Sequence, residues 1–132
     1  MRDNREKYLI DIYNLTNKIY QYDESTSQWK EVGKIDCKRA RAGVACINDK
    51  IYIIGGYDEE SQGQKSCIVF NPNANQSNGE LTIIADMNYP RYDHSLLPAN
   101  GKLYTIGGIP KVPFIEEYDL NQNKWRIVAK YD

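Results

Sequence analysis

One heptapeptide occurs twice in this chain of 132 residues. The stretch KIYIIGG at 50–56 returns as KLYTIGG at 102–108, 52 positions later, and each copy ends in a pair of glycines. Self-similarity at a fixed spacing of this size is typical of repeat architectures, in which each repeat is one small supersecondary unit. The sequence therefore predicts a stack of similar units rather than one irregular domain.

The match extends on both sides of the glycine pairs. Upstream, Arg39 falls on Arg91. Downstream, a tyrosine is followed seven residues later by a tryptophan in two places, Tyr22 with Trp29 and Tyr118 with Trp125. The middle copy has Phe70 and Leu81 at these positions and carries an insertion at 71–79. The repeating unit is therefore 44 to 52 residues long, depending on that insertion.

Each unit is predicted to form a small antiparallel sheet, because short apolar runs alternate with turn residues and no helical period is sustained. In the last unit, strands are predicted at 93–99, 102–107, 114–119 and 124–128. Asn100-Gly101 between the first two favours a two-residue hairpin turn. The second strand is apolar on both faces, as expected when other sheets cover it from either side. Such a meander needs copies of itself as neighbours.

These features resemble the Kelch repeat, the blade of a β-propeller. The resemblance rests on the two heptapeptides, on the Arg-x-x-x-Ser/Gly that precedes each, and on the Tyr-Asp whose tyrosine stands seven residues before a tryptophan. It covers about residues 7–128. The first unit departs from the pattern, since Ile12-Tyr13 stands where the glycine pair belongs and the innermost strand has no counterpart.

The resemblance implies an all-β fold, a Kelch-type β-propeller segment built from four-stranded antiparallel blades. The predicted units are a partial first blade of three strands at 1–35, a second blade at 36–87 and a third at 88–132. A closed propeller needs at least about four blades, so these two and three-quarter repeats are too short to close a ring alone. We expect a fragment, a truncated gene product or a piece that closes with another chain.

Residues that recur at the same phase of each unit are predicted to be structural. Glycine pairs suit a sharp turn at positive φ or a close approach of the next blade. The aromatic residues supply planar groups between blades, and the arginines a pairing or capping hydrogen bond at the link between blades, with ligand contact as the alternative. These structural positions are Gly55, Gly56, Gly107, Gly108, Arg39, Arg91, Tyr22, Tyr118, Trp29 and Trp125.

Recognition is predicted at the end of the blades where the chain leaves the second strand and links to the next unit. The segments at that end are 33–42, 57–65, 85–93 and 109–113, which differ between copies and mix charge with aromatic residues. A rigid scaffold often places binding residues on such loops, although plain solvated loops are the alternative. In Kelch proteins this face is implied to bind peptides or proteins. The partner-binding candidates are Arg41, Tyr57, Asp58, Glu59, Tyr92 and Lys111.

No catalytic constellation is predicted. His94 is the single histidine, and its neighbours Asp93 and Ser95 would point to opposite faces of a strand, so they form no relay. One histidine is also too few for a copper-radical oxidase of the Kelch-like class. Cys37, Cys46 and Cys67 show no metal-ligand or disulfide spacing. We therefore expect no cofactor, no metal and no enzymatic activity in this chain.

Charge and composition leave a protein or peptide as the expected partner. Lysine and arginine number 17 against 18 acidic residues, a balance that predicts no binding to nucleic acid or anionic membrane. The charged start MRDNREK predicts no signal peptide, and a cytoplasmic or nuclear location is expected. The favoured function is a protein-interaction module, for example substrate recognition in a larger assembly. The alternative is a fragment of a carbohydrate-active or lyase-type propeller enzyme whose active site lies in other blades.

Self-association is a further expectation, because an incomplete propeller leaves blade faces open. The apolar residues expected on those open faces are Ile51, Ile53, Leu103 and Ile127. Exposed apolar faces favour association between copies.

Overall fold

A computed structural model describes residues 8–9, 16–73 and 79–131, and this part of the chain contains strands and turns but no helix. The dipeptide 12–13, which replaces the glycine pair in the first unit, lies outside the described residues, as does most of the insertion at 71–79. The fold is all-β, as the sequence predicted.

The described strands form three antiparallel sheets in chain order, and consecutive strands pair as neighbours throughout. The first sheet contains β1 (Tyr8–Leu9), β2 (Thr16–Asp23) and β3 (Gln28–Arg39). The second contains β4 (Gly43–Ile47), β5 (Lys50–Ile54), β6 (Cys67–Asn71) and β7 (Glu80–Ile84). The third contains β8 (Ser95–Ala99), β9 (Lys102–Ile106), β10 (Phe114–Asp119) and β11 (Lys124–Lys130).

We call these sheets blades 1, 2 and 3. Each is an up-and-down meander, and the three do not close into a ring. The predicted unit limits of 1–35, 36–87 and 88–132 stay a prediction. One loop assignment was wrong, because β3 continues to Arg39 and leaves only 40–42 of the predicted segment 33–42 as a link. Two register shifts in the pairing of β2 with β3 accommodate the additional strand residues.

The tight turns follow from residues that tolerate left-handed backbone. Asn48 and Asp49 join β4 to β5 with φ of 52° and 62°, and Asn100 and Gly101 join β8 to β9 with φ of 53° and 73°. Positive φ at both central residues is what a type I′ turn requires, and its twist matches that of the flanking strands. These two hairpins place the strands of blades 2 and 3 in equivalent register.

The hydrophobic core lies between the blades. Blades 1 and 2 enclose one cluster, whose buried members include Ile19, Ile35, Ile51, Ile53, Ile68 and Phe70. Blades 2 and 3 enclose another, with Tyr52, Ile54, Cys67, Val69, Leu103, Tyr118 and Trp125 among its members. Blade 2 therefore has one face toward blade 1 and the other toward blade 3.

This arrangement corrects the prediction of which apolar residues lie on open faces. Ile51, Ile53 and Leu103 are at most 2% exposed, because all three point toward the preceding blade within the same chain. Of the four residues named, only Ile127 is exposed, at 45%.

The glycine pairs occupy positions that exclude a side chain. Gly55 and Gly56 have φ of 67° and 100°, and Gly107 and Gly108 have φ of 74° and 100°. A β-carbon at Gly55 would lie 2.5 Å from the carbonyl oxygen of Arg91 in the link to blade 3. Both the positive φ and the approach of the next link therefore require glycine at the end of β5.

Candidate functional site

The recurring arginines are buried and hold the backbone at the ends of strands. Arg39 is 2% exposed, and its Nη1 donates to the carbonyl oxygens of Gly55 and Ser66, each at 2.9 Å. Those two carbonyls lie on either side of the loop between β5 and β6. The side chain therefore fixes the two ends of that loop.

Arg91 makes the corresponding bonds one blade later. Its guanidinium donates to the carbonyl oxygens of Gly107 and Phe114 and forms an ion pair with Glu116, with 3.1 Å between Nη2 and Oε2. Both side chains of that ion pair are 0% exposed. The backbone of Arg91 also bonds blade 2, accepting from the Gly56 amide at 2.8 Å and donating to Gln64 at 3.2 Å. Arg91 thus joins blades 2 and 3.

The recurring aromatic pairs have different environments in blades 1 and 3. Tyr118 and Trp125 have ring centroids 5.0 Å apart and are 2% and 7% exposed. Burial raises the pKa of Tyr118 to about 12. Tyr22 and Trp29 pack at 5.1 Å, but Trp29 is 46% exposed. The same pair is therefore an interior contact in blade 3 and a surface contact in blade 1.

Three of the predicted binding residues come together on the surface at one end of the blades. This end carries the segments 40–42, 57–65, 85–93 and 109–113, and we call it the loop end. Backbone bridges position them: Ala40 exchanges hydrogen bonds with Tyr57, and Tyr92 exchanges them with Ile109. These two bridges are equivalent in the repeat, so the links before β4 and β8 are held in the same way. Tyr57 and Tyr92 pack with their rings 5.2 Å apart in an edge-to-face arrangement.

Arg41 joins this aromatic pair to an acidic residue. Its Nη1 lies 2.9 Å from Oδ2 of Asp93, and its guanidinium carbon lies 5.9 Å from the centre of the Tyr57 ring. The side chains of Arg41 and Asp93 are 44% and 38% exposed. The Asp93 amide also donates to the Arg41 carbonyl at 3.0 Å. We call Arg41, Tyr57, Tyr92 and Asp93 the Arg41 cluster.

The loop between β5 and β6 forms a compact wall beside the Arg41 cluster. Asp58 accepts hydrogen bonds from the amides of Glu60 and Gln62 through Oδ1, and from the side chain of Gln64 through Oδ2. The Asp58 carboxylate therefore organises the loop internally. Glu59 is exposed at the tip of the same loop.

Blade 3 supplies the opposite wall. A β-carbon placed on Gly63 would lie 3.4 Å from Pro90, 3.6 Å from the ring of Tyr92 and 3.8 Å from Pro110. The β5–β6 loop therefore packs against blade 3. Ile109 is 45% exposed. Lys111 is exposed in the loop between β9 and β10. The loop end is thus a surface of aromatic, proline and charged side chains shared by two blades.

His94 lies beside this surface, but its environment suits packing rather than acid–base chemistry. Burial and the nearby positive charge of Arg91 lower its pKa to about 4. A β-carbon on Gly108 would lie 2.8 Å from the β-carbon of His94. Ala42, the residue equivalent to His94 in the preceding unit, packs against Gly56 in the same way. Within the described ranges, no group of three or more His, Cys, Asp or Glu residues is placed to hold a metal ion.

One member of the Arg41 cluster was not among the predicted binding residues. Asp93 pairs with Arg41, and the two stand 52 positions apart, at the same phase of consecutive units. Equivalent positions of adjacent blades are close at the loop end. Oppositely charged residues at equivalent positions of two units could therefore have indicated this ion pair from the sequence. The buried partner of Arg91, Glu116, had no such signal, because its equivalent in blade 2 is Ile68.

Known proteins resemble this chain in sequence. The Kelch motif matches residues 38–77. The human Kelch repeat and BTB domain-containing protein 12 is 27% identical over 105 residues, covering 74% of this chain and 16% of that protein. Kelch-like protein 15 of Danio rerio is 28% identical over 130 residues, covering 83% of this chain and 21% of its own length. The chain thus spans about a sixth to a fifth of these relatives.

A solved structure resembles it in fold. A fungal alcohol oxidase of the AA5 family, determined in complex with copper, superposes with a TM-score of 0.74 at 14% identity, over 89% of this chain and 28% of the oxidase. At this identity the likeness shows the fold alone. In the part of the chain that the structure describes, no helix is long and apolar enough to span a membrane. The matching motif and the similarity to Kelch-repeat proteins, together with the repeated glycine pairs and buried arginines, support a Kelch-repeat family for this chain.

Proposed function

We propose that this chain is a protein-interaction module whose loop end binds a peptide or an extended segment of a partner protein. The Arg41 cluster is the centre of the proposed surface, flanked by the β5–β6 loop and by Ile109 and Lys111 of blade 3. The name of the human relative supports an interaction role, since it describes Kelch repeats combined with a BTB domain.

The observation that carries the proposal is an interconnected set of side chains, two exposed and two half-buried, that the repeat does not require. An ion pair with both members about two-fifths exposed contributes about 0–1 kcal/mol to stability. The equivalent of Tyr92 in the preceding link is Ala40, and the equivalent of Tyr57 is Ile109, so neither tyrosine is required by the repeat. Their presence is better explained by contact with a ligand.

The chemistry of the cluster indicates what it would bind. Tyrosine and arginine concentrate binding energy at interfaces, because they combine a large apolar contact area with hydrogen-bonding groups. The two tyrosine rings and two prolines offer an apolar floor, while Arg41 and Asp93 offer one donor and one acceptor group. An extended peptide with an aromatic or aliphatic side chain beside a polar backbone segment fits this pattern.

A displayed library of random peptides provides the test. The intact chain is used to select binders, and the affinity of one selected peptide is measured by titration calorimetry for wild type, Arg41→Ala and Tyr92→Ala. We expect each substitution to weaken binding by about tenfold or more, which is typical of truncated interface anchors. The melting temperature should stay close to that of wild type.

A matched control keeps the result specific. Ile83→Ala removes an apolar side chain that is 73% exposed on β7, away from the Arg41 cluster. This variant should bind the selected peptide as wild type does. If Ile83→Ala weakens binding while Arg41→Ala and Tyr92→Ala do not, the loop end is not the binding surface.

A further inference from the structure

The contact between blades 2 and 3 shows how one blade of this chain receives the next. The ring of Tyr52 in blade 2 lies 6.5 Å from that of Tyr118 in blade 3. The indole N–H of Trp125 donates to the carbonyl oxygen of Ala85 at 2.9 Å, and the Ala85 amide donates to Oδ1 of Asn123 at 2.9 Å. A tyrosine and an alanine of the preceding blade therefore dock on a tyrosine–tryptophan pair of the following one.

The receiving half of this contact is present a second time, on blade 1. Tyr22 pairs with Trp29 across β2 and β3 as Tyr118 pairs with Trp125 across β10 and β11. The two ring pairs have similar separations, 5.1 and 5.0 Å. Ser27 stands two residues before Trp29, with φ of 55° against 51° for the equivalent Asn123. Trp29 is 46% exposed where Trp125 is 7% exposed.

The docking half is also present a second time, on blade 3. Tyr104 is paired with Leu97 as Tyr52 is paired with Ala45. The run IVAK at 127–130 repeats IIAD at 83–86 in sequence, but a register shift in blade 3 pairs Ala129 with Ile115, the position at which blade 2 pairs Ile84 with Cys67. Leu97 is 52% exposed and Val128 is 42% exposed. Ala45, the counterpart of Leu97 in blade 2, is buried against blade 3 at 8%.

We propose that blade 3 of one copy docks on blade 1 of a second copy, in a head-to-tail contact that repeats the contact between blades 2 and 3. Tyr104 would pack on Tyr22 and Trp29 of the second copy, as Tyr52 packs beside Tyr118 within one copy. The occupant is a second copy of this chain because the chain carries both aromatic halves of the contact, Tyr104 on blade 3 and the Tyr22–Trp29 pair on blade 1. Such a heterologous contact builds rings or open chains rather than two-fold dimers.

The docking face of blade 3 carries an ion pair that blade 2 does not have. Arg126 and Glu117 stand where blade 2 has Thr82 and Val69, and Nε of Arg126 lies 2.8 Å from Oε1 of Glu117. On the receiving face, Glu31 stands where blade 3 has Ile127. Arg126 is already paired within blade 3, so the proposed contact depends on its aromatic and apolar side chains.

Sedimentation velocity over a concentration series tests this proposal on the intact chain. Wild type should form oligomers larger than a dimer. Trp29→Ala disables the receiving face, and Leu97→Lys disables the docking face without removing a hydrogen bond. Each variant alone should sediment as a monomer, with the apparent dissociation constant raised by about thirtyfold or more if both residues are anchors of the contact. Circular dichroism would establish that both variants remain folded.

Mixing the two variants distinguishes head-to-tail assembly from other modes. Trp29→Ala retains an intact docking face and Leu97→Lys retains an intact receiving face, so an equal mixture should form one dimer that cannot extend. A contact of blade 1 with blade 1 predicts instead that Leu97→Lys dimerises alone and that adding Trp29→Ala produces no further dimer. The proposal is overturned if wild type is monomeric, if the mixture stays monomeric, or if the control Ile83→Ala dissociates the oligomer as strongly as Trp29→Ala does.

Discussion

Two arginines about one repeat apart in the chain, Arg41 and Arg91, should lose very different amounts of stability on truncation. Arg91→Ala removes a guanidinium that is 0% exposed, contacts the carbonyls of Gly107 and Phe114, and neutralises the equally buried Glu116. Glu116 would keep only its two bonds from Asn88. Breaking a buried ion pair by removing one partner costs about 3–5 kcal/mol.

Two carbonyls that lose a buried donor add to this cost, at about 1–3 kcal/mol for each group that water does not reach. We therefore expect Arg91→Ala to lower the free energy of unfolding by at least about 4 kcal/mol, which is a large part of the 5–15 kcal/mol typical of a folded domain. Arg41→Ala removes an exposed ion pair and should cost no more than about 1 kcal/mol.

Urea denaturation followed by tryptophan fluorescence measures both values, since Trp125 lies in the cluster between blades 2 and 3. The double variant Arg91→Leu with Glu116→Leu is the control, because removing both charges should restore much of the stability that Arg91→Ala loses. The reasoning fails if the two single variants differ by less than about 1 kcal/mol, a difference that exposed ion pairs alone could produce.

Three further predictions concern burial. His94 has a pKa of about 4 in the folded protein, against 6.5 in the unfolded chain. As the pH falls, the unfolded state takes up the proton first, so the free energy of unfolding decreases between pH 6.5 and 4 by up to about 3 kcal/mol. His94→Ala should lose this part of the pH dependence of urea unfolding. Gly55→Ala should destabilise more than Gly107→Ala in the same assay, because an added β-carbon would meet a backbone oxygen at 2.5 Å at the first position and a hydroxyl at 3.7 Å at the second. A thiol reagent should modify exposed Cys46 in the native protein but not Cys67, which is buried and has a pKa of about 12.

Each of these predictions has a contrary result. An unchanged pH profile in His94→Ala would show that the imidazole is hydrated in the folded state. Equal destabilisation at the two glycines would show that positive φ, rather than the approach of the next link, decides the requirement. Modification of Cys67 as fast as Cys46 would show that blades 2 and 3 separate readily in solution.

The blade pattern could be predicted from the sequence because its signals are local. The strands expected at 102–107 and 114–119 match β9 and β10 to within one residue, since turn residues and apolar runs mark their ends. Asn100-Gly101 adopts positive φ at both positions because few other residue pairs tolerate that backbone. Such signals depend only on neighbouring residues in the chain, so they can be interpreted without knowledge of the tertiary fold.

Contacts between blades could not be predicted in this way. Ile51 and Leu103 were expected on open faces, but which face of a strand meets which neighbour depends on the direction in which the blades follow one another. Arg41 was predicted as a binding residue without its partner Asp93, because the alignment gave their equivalence and not their proximity. Glu116 lies in a strand that resembles a solvated edge in sequence, and only the fold buries it against Arg91.

We propose that repeated residues hold the blades together and that unrepeated residues at the loop end bind the partner, a division of roles between the two sets. Hydrogen exchange of the intact chain with and without a library-selected peptide tests this division most directly. Protection on binding should appear at 40–42, 57–64, 90–93 and 109–112, at the loop end. Protection confined to the turns at 48–49, 100–101 and 120–123, at the other end of the blades, would contradict it.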